Sequence, residues 1–205
     1  MTDNKNLQWA RSGEKIAPQR AEQIFEWMEK LCARGNYSIK PDKYTFNTVI
    51  HAYAKFGGKE AAIKAQQLLK HMHRMHIGGN SSAKPDTITY NVVINCLAKS
   101  GGKGAALEAE KLLSKMHMLH DAGDTDVKPN VVTYGAVIDA WAKSGETGAA
   151  GRADNILATM IQLHQNDPVK NADLRPNTYT FNTVINAVSQ YDTLQTFYLY
   201  LHIYC

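Results

Sequence analysis

A seven-residue phrase recurs four times in this 205-residue chain, and its spacing constrains the fold more than any other feature. Tyr44 to Ile50 reads Tyr-Thr-Phe-Asn-Thr-Val-Ile and follows Lys40-Pro41-Asp42. The phrase returns at Ile88 to Ile94 after Lys84-Pro85-Asp86, at Val132 to Ile138 after Lys128-Pro129-Asn130, and at Tyr179 to Ile185 after Arg175-Pro176-Asn177. Successive copies lie 44, 44 and 47 residues apart. A second set of landmarks keeps the register: Gly13, Gly57, Gly101 and Gly145, then Ala21, Ala65, Ala109 and Ala153, then Met28, Met72, Met116 and Met160. A period of this length marks an array of stacked supersecondary units.

Each repeat reads as two helices. Phe46, Val49, Ile50, Tyr53 and Ala54 form an apolar stripe at helical spacing, repeated at Tyr90, Val93, Ile94, Leu97 and Ala98 and at Tyr134, Val137, Ile138, Trp141 and Ala142. The proline turn before each stripe predicts the helix start, and the glycine after it predicts a left-handed cap. The second helix carries Ala65, Leu68, Leu69 and Met72, and likewise Ala109, Leu112, Leu113 and Met116. The connectors Gly78 to Ser82 and Asp121 to Asp124 are polar and rich in glycine. A two-helix unit cannot bury both stripes alone, so neighbours must stack into an all-α solenoid.

Composition narrows the function classes. No run approaches 18 consecutive apolar residues, which leaves no transmembrane helix to expect. Cys32, Cys96 and Cys205 are scattered without a CxxC, which argues against a disulfide framework or zinc knuckle and fits a reducing compartment. The formal charge of +4 is mildly basic, short of a polybasic protein.

The register divides the chain into a partial repeat over 1–39, repeats over 40–83, 84–127 and 128–174, a partial repeat over 175–190 and a divergent tail over 191–205. Trp9 to Glu14 matches Trp141 to Glu146, which places Asp3 opposite Asn47 and leaves the first helix without its start. The aromatic run Phe197 to Cys205 matches no other second helix. Solenoid ends normally carry polar caps, so the expectation is a piece of a longer array.

The string Thr-Tyr/Phe-Asn-x-Val-Ile, the Ala-x-x-Leu-Leu-x-x-Met of the second helix and the Lys-Pro-Asp/Asn turn resemble the pentatricopeptide repeat over residues 9–190. The resemblance implies a right-handed α-α superhelix that binds single-stranded RNA one base per repeat, without catalysis or cofactor. It further implies organellar RNA processing, stability or editing, and hence a mitochondrion or plastid. That family's unit is about 35 residues. Here three residues are added before the second helix's alanine and six after its methionine, with three more in the 128–174 repeat. One extra turn at the start of the second helix would absorb the first addition. The competing reading is a tetratricopeptide-like scaffold for other proteins, but its Trp-x-x-Leu-Gly-x-x-Tyr pattern is missing.

In the family resembled, two positions per repeat read a base edge: the residue after the Tyr/Phe and the last residue of the repeat. The pairs here are Asn47 with Asp86, Asn91 with Asn130, and Gly135 with Asn177, while Asn182 lacks a partner. The family's pattern implies U for Asn-Asp and C or U for Asn-Asn; Gly135 has no side chain to read with. The alternative reading of these residues is as helix caps and turns. Tyr44, Ile88, Val132 and Tyr179 hold the position that wedges between bases in that family, or else pack the helix N-termini. Arg11, Lys55, Lys99 and Lys143 form a cation column suited to phosphates or, equally, to the negative ends of helix dipoles.

His71, His73 and His76 suggest a metal cluster at first sight, but His76 aligns with His120 and His164, and His73 with His117. Helix-end polarity is the expected role, and no metal site is expected. Met72, Met75, Met116, Met118 and Met160 are expected to pack in the core. No paired carboxylates, nucleophile triad, Walker loop or dinucleotide fingerprint appears, so no enzyme activity is expected. The acidic residues within 1–30 (Asp3, Glu14, Glu22, Glu26, Glu29) are unlike a transit peptide.

Overall fold

The computed structural model describes residues 17–189. The readings that fall on Asp3, on Trp9 to Glu14 with Arg11, and on Gln190 to Cys205 lie outside them. The fold is all-α, and its helices are α1 (Ala17–Ala33), α2 (Lys43–Phe56), α3 (Gly58–Ile77), α4 (Thr87–Ser100), α5 (Ala105–Asp121), α6 (Val131–Ser144), α7 (Ala149–Asn166) and α8 (Thr178–Ser189). Short 3-10 turns at Tyr37–Ile39, Ser81–Ala83 and Ala172–Leu174 lead into α2, α4 and α8. They follow Met28, Met72 and Met160, whereas no such turn is found between Met116 and α6.

The first helices start where the sequence places them because the phrase contains its own cap. Asp42 accepts from the Thr45 backbone N–H at 2.9 Å, and the Thr45 side chain closes the reciprocal half of the capping box. Asn130 and Thr133 repeat the arrangement at α6. Gly57, Gly101 and Gly145 have positive φ of 73°, 57° and 67°, a region that disfavours other residues; Gly145 is the left-handed cap expected, whereas Gly57, with ψ of −174°, is not.

The additions before the second helices behave in two ways. In α3 they prolong the helix, which begins at Gly58 immediately after the Gly57 cap and runs 20 residues. In α5 and α7 they do not: they form turns ending at Gly104 and Gly148, both left-handed. The expected extra helical turn therefore occurs in one repeat of three.

The chain divides into two compact units, residues 1–96 and 97–205, with the boundary inside α4. In the first unit α1 packs on α2 and α2 on α3, with Phe25 and Phe46 edge to face at 4.8 Å. In the second, α6 packs against α5, α7 and α8, so a first helix sits between the preceding second helix, its own partner and the next first helix. The stripes read from the sequence are buried there: Phe46, Ile50, Tyr90, Ile94, Tyr134, Ile138, Met72, Met116 and Met160 are almost entirely covered. Burying one such side chain contributes about 1.5–3 kcal/mol. Met118 departs from expectation and is 72% exposed. It lies two residues past Met116, about 200° around the helix, and so faces outward.

Candidate nucleic-acid interface

The last-residue position of each repeat is the N-cap of the next first helix. Asp86 Oδ1 accepts from the Thr89 backbone N–H and hydroxyl, both at 3.0 Å. Asn130 Oδ1 accepts from Val132 N and Thr133 N, both at 3.1 Å, and Asn177 Oδ1 from Thr180 N at 3.0 Å. The capping role, left open by the sequence, is thus real at all three. Asp86 has a second contact: its Oδ2 faces Lys43 Nζ at 3.3 Å. Burial pushes the Asp86 carboxyl up, but the bonds from Thr89 and the Lys43 cation outweigh it and hold the group below its ordinary value.

Asn47, one helical step past the buried Phe46, is half-buried, and its Oδ1 is shielded without a hydrogen-bond partner among the described residues. Such an atom is costly and rare in native structures. Asn91 is likewise half-buried, whereas Asn182 is exposed. Gly135 differs from all of these: it is buried, and a Cβ built on it would lie 3.2 Å from Cε1 of Tyr179.

The wedge positions are held outside. Tyr44, Ile88, Val132 and Tyr179 are 71%, 62%, 59% and 58% exposed, in the first turn of four successive first helices. Tyr179 also lies against buried Gly135, so exposure and packing coincide at that position. Lys43 lies 5.6 Å from the Tyr44 ring centroid, so a cation and an aromatic face share the start of α2.

Lys55, Lys99 and Lys143 are exposed in the last turns of α2, α4 and α6, where both the phosphate and the dipole readings place them. Lys143 is held by Asp139 at 2.6 Å one turn earlier, so its charge is locally compensated. Lys55 and Lys99 have no such acidic partner one turn back, where His51 and Asn95 stand.

The histidines separate into distinct roles. His71 pairs with Glu29 at 2.6 Å, while His73 and His117 bond the hydroxyls of Tyr90 and Tyr134 at 3.0 and 2.9 Å. Helix-end polarity is therefore not the role of His73 and His117, which link one hairpin to the next. His120 and His164 do sit in the last turn and contact loop carbonyls of Asp124 and Asn171. No group of His, Cys, Asp or Glu suited to a metal ion occurs among the described residues.

A further column escaped the sequence reading. Glu22, one residue past Ala21, accepts from the Tyr53 hydroxyl and pairs with Lys64 at 2.8 Å. Glu110, one past Ala109, accepts from Trp141 Nε1 at 3.0 Å and faces Arg152 at 3.4 Å. The offsets of 31 and 42 residues are the same in both, and that identity was the available signal. Asp154 holds the corresponding place in α7. It is buried, its Oδ1 has no partner among the described residues, and burial raises its pKa.

No helix among the described residues is long and apolar enough to cross a membrane. Comparison with curated proteins finds no match. The family description "Pentatricopeptide repeat domain" matches residues 31–100 and 117–191, and "PPR repeat" matches residues 88–119. Those matches cover most of the capped, paired helices described above, and the chain belongs to the pentatricopeptide repeat family.

Proposed function

We propose that this chain binds single-stranded RNA along its first helices, one base per repeat, as an adaptor without chemistry of its own. The observation that carries the reading is the set of large apolar side chains at Tyr44, Ile88, Val132 and Tyr179. Each stands exposed at the same register, beside an Asn or Gly one turn on and an Asp or Asn cap. Four large side chains exposed at one register suit the faces of successive bases. Asn47 with Asp86 is read as a seat for U, and Asn91 with Asn130 as a seat for C or U. Lys55 and Lys99 would attract phosphates, with Lys143 contributing less while Asp139 holds it. An organellar role in RNA processing, stability or editing follows from the family and belongs to the same proposal.

Fluorescence anisotropy with labelled oligonucleotides tests it. Affinity is expected to fall with salt by about 0.7 log units per decade for each phosphate neutralised. Asn47→Ala is expected to weaken U-containing ligands selectively. Binding indifferent to salt and to base identity, together with capture of a peptide ligand, would replace this reading with a protein-interaction groove.

A further inference from the structure

Among the described residues two helices lack a hairpin partner: α1 is a second helix with no first helix before it, and α8 a first helix with no second helix after it. Both are open where the complete hairpins are closed. Phe181 of α8 is 41% exposed and Ile185 58%, whereas Phe46, Tyr90 and Tyr134 at the register of the first, and Ile50, Ile94 and Ile138 at that of the second, are almost wholly covered. Ile24 of α1 is 51% exposed, while its counterparts Leu68 and Ile156 are buried. Apolar positions that are covered in every complete unit mark a surface suited to a partner.

Charge says which partner. Glu22 pairs with Lys64 and Glu110 with Arg152, each cation coming from the second helix of the next hairpin. Where Gln66 takes the carboxylate's place in α3, Glu108 takes the cation's place in α5, so the two columns vary together. Asp154 is the last carboxylate of the column. It is 5% exposed, and its Oδ1 has no hydrogen-bond partner among the described residues. Val188, in the place of Tyr53 and Trp141, has no side-chain donor to give it. A buried carboxylate oxygen left in that condition is costly. Arg20 stands one repeat before Lys64 in the cation column, exposed in the first turn of α1. Residues 191–205 hold neither Lys nor Arg, so that segment has no such cation to offer.

We propose that α1 of a second copy of this chain packs on α8 as its missing second helix, with Ile24 covering Phe181 and Ile185 and Arg20 meeting Asp154. The contact is head to tail: two different faces meet, and each contact leaves one further head and one further tail. Arg20 does between copies what Lys64 and Arg152 do within one. The inference is independent of RNA binding.

Sedimentation velocity on the full chain tests it. The chain is expected to associate as its concentration rises. Arg20→Glu and Ile185→Glu are each expected to weaken association by about 30-fold or more. Both residues are exposed in the single chain, so circular dichroism is expected to show both variants folded. Asp154→Asn, which keeps the shape and removes the charge, is expected to weaken association too. An equimolar mixture of Arg20→Glu and Ile185→Glu is expected to form a dimer and stop there, because the intact tail of the first meets the intact head of the second. A chain that stays monomeric at every concentration overturns the inference. Association that survives Arg20→Glu overturns it as well, by giving the α8 face to another occupant. So does a mixture that stays monomeric while the unmodified chain associates, which would mean that one face meets its own copy.

Discussion

Trp141 donates its indole N–H to Glu110 at 3.0 Å, joining the first helix of one hairpin to the second helix of the hairpin before it. Arg152 closes the arrangement, 3.4 Å from the other Glu110 oxygen and 5.9 Å from the Trp141 ring centroid. The bond to a carboxylate is the stronger member, because the Arg152 side chain is 56% exposed and its pairing is screened by solvent. Trp141→Phe is expected to destabilise the chain by about 1–2 kcal/mol in urea unfolding. Arg152→Ala is expected to cost less than half of that. Equal losses would contradict this ranking.

The bond between His117 and Tyr134 gives stability an acid limb. Burial lowers the His117 pKa, His120 lowers it further, and Asp121 opposes them; burial also pushes the Tyr134 hydroxyl up to about 12. The folded state therefore takes up a proton on His117 less readily than the unfolded state. Its contribution is complete well above the ordinary value of 6.5 and is lost as pH falls below it. Unfolding measured between pH 7.5 and 5.5 is expected to show declining stability, with a shallower slope in His117→Gln. An unchanged slope in that variant would assign the decline to other groups.

Asp154 has the opposite sign. Its raised pKa means that the folded state holds the carboxyl proton more tightly than the unfolded chain does. Its contribution is favourable below the ordinary value of 3.8 and is lost as pH rises above it. Asp154→Asn is expected to stabilise the chain at neutral pH by on the order of 1 kcal/mol, the gain shrinking toward pH 4. A destabilised Asp154→Asn would reveal a partner that the carboxylate needs.

The double use of Asp86 separates folding from recognition. Asp86→Asn keeps an oxygen for the Thr89 cap, so stability is expected to change little; Asp86→Ala is expected to lose about 1 kcal/mol with the cap. In RNA binding, Asp86→Asn is expected to shift the preference of the Asn47 seat from U toward C or U, with overall affinity largely kept. Thermal unfolding alongside anisotropy distinguishes the two effects.

The helices were legible because their signals are local. Asp42 and Thr45 cap one another across three residues, and Gly57 ends the same 14-residue helix. The start of the second helices was less so, since three added residues fit either a helical turn or a loop. The chain takes the helix after Gly57 and the loop before Gly104 and Gly148. The columns themselves were visible in the repeat, and Tyr44, Ile88, Val132 and Tyr179 are all exposed. What the columns did not show was which rows touch. His73 with Tyr90, Glu110 with Trp141 and Tyr179 over Gly135 arise only once one hairpin is laid on the next. Met118 was misplaced because helical phase, not residue type, decides which way it faces.

The capping asparagines and aspartates limit the vocabulary available to this array. At 42, 86, 130 and 177 the side chain must first start a helix, a task performed comparably well by Asn, Asp and Ser and less well by Thr. Exchanges within that small set are nearly silent for folding. Under the proposed reading they are not silent for recognition, so such a chain can drift from one RNA sequence to another without first becoming unstable. The helix start thereby serves as a dial with only a few stops, each already compatible with the folded state.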